Sequence, residues 1–124
     1  MAKKFADAVF DAALAKIATG TKLTFCSAEP ANYAGIAAVK LADVTVTAGD
    51  GNGDYTIADG PVSGRKVTVG AQTGMTPSAN GTIIYACVDD GTTLLAGTSV
   101  TSQAVTTAQT WDSPAFAFGI TDPV

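Results

Sequence analysis

Glycine, aspartate, asparagine and proline punctuate this chain so densely from Thr21 onward that only short elements fit between them. The intervening runs are rich in Thr, Val, Ile and Ala, residues that suit a pleated, half-buried surface. Strands are predicted over 22–27, 39–47, 55–57, 66–69, 81–88, 93–95, 99–105 and 115–120, with turns at 49–53 and 60–64 and a softer loop over 73–81. Within 39–47 the alternation breaks near Ala42 and Asp43, which marks a bulge. Asp89-Asp90-Gly91 lies between two of the runs, and Asp-Gly is a strong hairpin signal. Strands at roughly 8–12-residue spacing indicate an antiparallel β-sandwich or an open barrel.

One segment has a different period. Over residues 3–18, Phe5, Val9, Phe10, Ala13, Leu14 and Ile17 recur on one broad helical face, with Lys4, Asp7 and Asp11 opposite. Gly20 is the expected stop, since glycine takes the left-handed conformation without a Cβ clash. The expected fold is therefore mainly β with one N-terminal α-helix. A length of 124 residues supports one domain, divided into a helical arm over 1–20 and a β-rich body over 21–124. The segment 29–36, opened by Pro30, reads as a loop pinned by Tyr33. VTVTAGDG at 44–51 and VTVGAQTG at 67–74 are two similar strand-plus-turn pieces, too few for a solenoid.

Charge narrows the function classes. The net charge of −4 disfavours a general phosphate binder, which needs clustered Lys and Arg. Residues 1–40 carry Lys3, Lys4, Lys16, Lys22 and Lys40 against three acids, whereas the remainder carries Arg65 and Lys66 against eight Asp. No apolar stretch approaches the ~18 residues of a membrane span, and Asp7, Asp11 and Lys16 interrupt any signal-peptide core. Synthesis and folding in a cytosol are expected. Cys26 and Cys87 each sit in an apolar, strand-like run and read as buried reduced thiols; a disulfide would require Cα atoms within about 7 Å.

The chain has no His and a single Glu, Glu29, so most of the side chains that move protons near neutral pH are missing. No base stands beside Ser99, Thr101 or Ser102 in sequence, and Asp89 and Asp90, adjacent on a strand, would point to opposite faces. Gly70, Gly74 and Gly81 lack the strand–glycine–helix setting of a nucleotide fold. Asp50-Gly51-Asn52-Gly53-Asp54 matches the opening of a calcium loop, but Tyr55 stands where the template needs Gly and Pro61 where it needs a bidentate carboxylate. Trp111, Tyr33, Tyr55 and Tyr85 would be the aromatics of a sugar-binding face. The expectation is a non-enzyme with no catalytic residue, cofactor or metal.

The order of these pieces resembles a family of small tailed-bacteriophage virion proteins, many of them head-decoration proteins. The resemblance rests on the N-terminal helix, TKLTFCSAEPANYA, SGRKVTVGAQTG, the hairpin NGTIIYACVDDGTTLLAGTSVTSQAV and the ending TWDSPAFAFGITDPV. It departs at Tyr85-Ala86, where family members often carry a Trp-Ala-type pair. The resemblance implies a virion component with no catalytic residue; charge and hydropathy add the expectations of no nucleic-acid partner, no membrane partner and synthesis in the host cytoplasm. Within it, a capsid-surface cement that binds and stabilises the major capsid protein lattice as a homo-oligomer is the leading expectation. A tail, neck or head–tail joining subunit is the alternative in the same class, and a small extracellular sugar- or calcium-binding module the alternative in another. Expected contact residues are Phe5, Val9 and Phe10 on the helix, Trp111, and Phe116 and Phe118 at a sheet edge.

Overall fold

A computed structural model describes residues 5–121. The chain is mainly β, with antiparallel sheets in a sandwich-like arrangement and one N-terminal helix. Helix α1 spans Asp7–Ile17, with Asp7 in its first turn and Lys16 in its last, each matched to the nearer pole of the helix dipole. Positions 3 and 4 of the predicted helix lie outside the described residues. The strands are β1 (Lys22–Cys26), β2 (Lys40–Thr45), β3 (Tyr55–Asp59), β4 (Arg65–Val69), β5 (Gln72–Met75), β6 (Gly81–Asp89), β7 (Leu94–Val105), β8 (Trp111–Ser113) and β9 (Phe116–Ile120). They form a four-stranded sheet in the order β2-β1-β6-β7, a three-stranded sheet β3-β4-β9 and a two-stranded sheet β5-β8.

One apolar core joins these layers. Leu23, Phe25, Ala86 and Val88 from the four-stranded sheet meet Tyr55, Val67 and Val69 from the three-stranded sheet, with Leu14 of α1 closing one side. Each fully buried Leu, Val or Phe side chain of this set contributes about 1.5–3 kcal/mol. Helix α1 lies mainly against β4, and Asp11 fixes it there by accepting from Arg65 Nε at 2.7 Å. Arg65 also donates to Asp59, and these two carboxylates push its pKa up.

Several expectations need correction. The helix starts only at Asp7, so Phe5 precedes it, and its apolar face is narrower than its spacing suggests: Phe10 and Leu14 are buried, whereas Val9 and Ala13, like Phe5, are exposed. Gly20 does not have a positive φ, and the helix is capped at Ala18 in the right-handed region. Glycine is needed at position 20 for close approach instead: a Cβ there would overlap the Val88 side chain and come within 2.9 Å of the Tyr55 hydroxyl.

The 29–36 loop contains a 3-10 turn at Tyr33–Gly35, followed at once by a single-turn helix α2 at Ile36–Val39. Asn32 starts this segment by accepting the Gly35 N–H on its side-chain oxygen at 3.0 Å. The bulge in β2 falls at Leu41, because Phe25 faces Ala42 while Cys26 faces Lys40. The runs 93–95 and 99–105 are one strand, β7, whose register against β6 shifts twice. The 73–81 loop begins with the last residues of β5, which pairs with β8.

Candidate functional site

The structure separates the six expected contact residues into two groups. Phe10 is buried, with the Phe5 ring edge-on to it at 5.9 Å. Trp111 is half-buried and packs edge-to-face on Phe25 at 4.6 Å, so it serves the core. Phe116 and Phe118 are half-buried, stand 5.7 Å apart and pack against the main core, although their strand is an edge strand. Phe5 and Val9 remain open to solvent, at 51% and 55% exposure. The sequence reading missed Val62 and Ile84, which are also exposed, as is Tyr33, expected only as a loop anchor or sugar-face aromatic. No spacing signal could have found Ile84: the register shift between Ile83 and Tyr85 puts Ile83 in the core and leaves Ile84 outside.

The four-stranded sheet is covered on its second face as well. There Cys26 and Cys87 pack with Ile36 of α2. Their registers place Cys26 opposite Tyr85 and Cys87 opposite Thr24, so the cysteines are diagonal neighbours across β1 and β6. Both are free thiols, with Sγ atoms 4.0 Å apart. The hydrogen bond shared with Cys26, and then burial, push the Cys87 thiol well above its ordinary range.

Beside these cysteines the sheet and the segment 33–39 line a half-open cavity of about 290 Å³. Thr24 and Asp89 reach it from β1 and β6, Lys22, Lys40 and Asp43 stand at its polar side, and Tyr33 and Ile36 supply apolar wall. Thr24 is fully buried and its hydroxyl has no hydrogen-bond partner. Asp89 is 2% exposed, and its Oδ1 accepts the Gly91 N–H at 3.0 Å. Asp43 holds both lysines, with Lys40 Nζ at 3.1 Å and Lys22 Nζ at 3.7 Å.

The remaining sequence candidates have structural employment. In the 50–54 loop, Asp50 accepts from the Ile57 N–H at 2.8 Å and Asp54 from the Thr47 N–H at 2.7 Å. Asn52 donates to the Thr47 and Ala48 carbonyls and accepts from the Asp54 N–H. Gly49, Gly51 and Gly53 supply the positive φ angles that such a folded-back loop requires. The side-chain oxygens that a calcium ion would need are thus turned onto the loop's own backbone. Among the described residues no three His, Cys, Asp or Glu side chains are grouped to hold a metal.

Asp90 closes the β6–β7 hairpin by accepting the Thr92 and Thr93 N–H groups, and these bonds hold its carboxyl below the usual range. The four aromatics do not make one face. Tyr55 is fully buried and donates to the Gly20 carbonyl at 2.9 Å, and Trp111 joins the same core, whereas Tyr85 packs with the cysteine cluster on the other side of the sheet. Burial, followed by the charges of Asp54 and Asp89, pushes the Tyr55 hydroxyl up to about 12.

No family model matches this chain, and no match was found among curated proteins or solved structures.

Proposed function

We propose that this chain is a non-catalytic structural subunit of a tailed-phage virion, a decoration protein that binds the outer face of the capsid lattice. The observation that supports this reading most is the division of α1. Its inner side anchors the helix through Phe10 and Leu14, while Val9 projects outward from the helix and Phe5, just before its first turn, is exposed beside it. A helix fixed to the body and carrying apolar side chains into solvent offers preformed contact area, so little ordering is lost on docking. A stable contact buries about 800 Å² per partner, more than this patch alone supplies. The outer edge of β7 can extend it: Leu94–Val105 contains no charged residue and no proline, and among the described residues no strand pairs with that edge. Long uncharged edges of this kind are receptive to backbone pairing, although the two register shifts in β7 limit how far a neighbour can run along it.

Cosedimentation tests the reading. Purified protein added to heads stripped of their decoration layer is expected to pellet with them at saturating stoichiometry, and Val9→Asp to stay in the supernatant. A protein that never pellets with heads but is lost with detached tails would overturn the decoration role.

A further inference from the structure

We propose that the cavity between β1, β6 and the segment 33–39 is a binding site for a primary ammonium group carried on a short apolar stem. Its volume of about 290 Å³ is near the lower end for ligand pockets and equals that of roughly ten waters. One group on its walls lacks what its burial demands, and beside it stands a carboxylate with no ion pair. The Thr24 hydroxyl is fully buried without a hydrogen-bond partner, a costly arrangement that native interiors rarely keep. Asp89 is a buried carboxylate with one backbone donor and, among the described residues, no cationic partner.

Lys22 lies directly across from Asp89 in the β1–β6 register, yet its Nζ is drawn to Asp43, which also takes Lys40. A water would satisfy Thr24 and leave the Asp89 charge uncompensated, and a buried charge is tolerated best when paired. An anion would meet Asp89. An ammonium group answers both, donating to the carboxylate and to the hydroxyl, while Tyr33 and Ile36 line the space for the stem. The same chemistry can come from a free alkylamine or from a lysine side chain of another protein. The inference is independent of the virion reading.

The test is a titration of the isotope-labelled protein by NMR with n-butylammonium chloride and with Nα-acetyl-lysine amide. n-Butanol supplies the same stem without charge, and sodium chloride controls for ionic strength. Saturable shifts confined to residues around the cavity are expected with at least one amine. Preference for butylammonium assigns the site to free amines, and preference for the lysine derivative assigns it to a protein side chain. Asp89→Asn, which keeps an acceptor for the Gly91 N–H, should weaken binding by about tenfold or more, and Thr24→Val by about threefold. Asp90→Asn, which keeps the turn's acceptor and does not line the cavity although Asp89 and Gly91 do, should leave affinity unchanged. If Asp89→Asn does not fold, the butanol comparison and Thr24→Val still decide. The proposal is overturned if neither amine saturates, if butanol binds as well as butylammonium, or if both cavity variants bind like the wild type.

Discussion

Phe10 and Val9 are adjacent on α1, yet one is buried and the other exposed, so substituting each in turn separates folding from docking. Phe10 is 6% exposed and touches Phe5, whereas Val9 is 55% exposed. Buried Phe→Ala changes cost about 3–5 kcal/mol, and a site near the start of a helix, where the chain can relax, belongs at about 3 kcal/mol. For a domain of this size that loss lowers the melting temperature by roughly 10 °C. Val9→Asp removes little buried area and should change stability by less than about 0.5 kcal/mol. It also places a carboxylate at the third residue of Asp7–Ile17, where the helix dipole favours negative charge. Thermal unfolding followed by circular dichroism, with cosedimentation on heads, reads both quantities. The expected pattern is a destabilised Phe10→Ala that still docks below its melting point and a Val9→Asp of wild-type stability that does not dock. Equal melting temperatures, or a Val9→Asp as destabilised as Phe10→Ala, would refute this division of the helix.

Further outcomes follow from single hydrogen bonds and from the buried thiols. Tyr55→Phe strands the Gly20 carbonyl that its hydroxyl now serves at 2.9 Å, and should cost about 1–3 kcal/mol in denaturant unfolding. Because folding raises the Tyr55 pKa to about 12 from an ordinary value of about 10, its contribution is complete below pH ~10 and is lost as pH rises toward the folded value. Alkaline unfolding should therefore be shallower in Tyr55→Phe. Asp90 has the opposite sign: its folded pKa is depressed, so its contribution holds above the unfolded value of about 3.9 and is lost as pH falls through the folded one. An acid titration of Asp90→Ala should show a weaker loss of stability below pH ~4 than the wild type. Cys26 and Cys87 should resist a thiol reagent in the native protein and titrate as two thiols in guanidinium; rapid native labelling would contradict their burial.

Most strand positions were legible because alternation and turn residues are local signals. The β6–β7 hairpin, β1, β4 and β9 fall where the Thr/Val/Ile runs and the Asp-Gly turn place them. What was not legible depends on partners distant in sequence. The α2 segment occupies one turn, too short for a helical period to register, and it is held by packing over the Cys26–Cys87 face. β5 and β8 are short, and each gains its meaning only from the other. Burial of Thr24 on the second face of β1 is invisible in KLTFC, where a lone threonine between apolar residues reads as the solvent side of a strand. The cavity is hidden for the same reason, since Thr24 and Asp89 meet only through the β1–β6 register. The exposed pair Phe5 and Val9 was found by helical spacing, but spacing could not tell them from Phe10, whose burial is set by where α1 meets β4.

Electron cryomicroscopy of virions assembled from the genome that encodes this chain tests its assignment most directly. The account predicts density for the β-rich body on the outside of the head lattice, at repeated positions, with the Phe5–Val9 side of α1 facing a neighbouring subunit. Heads whose outer surface lacks this chain while it is present elsewhere, or complete virions that do not contain it, would contradict the account.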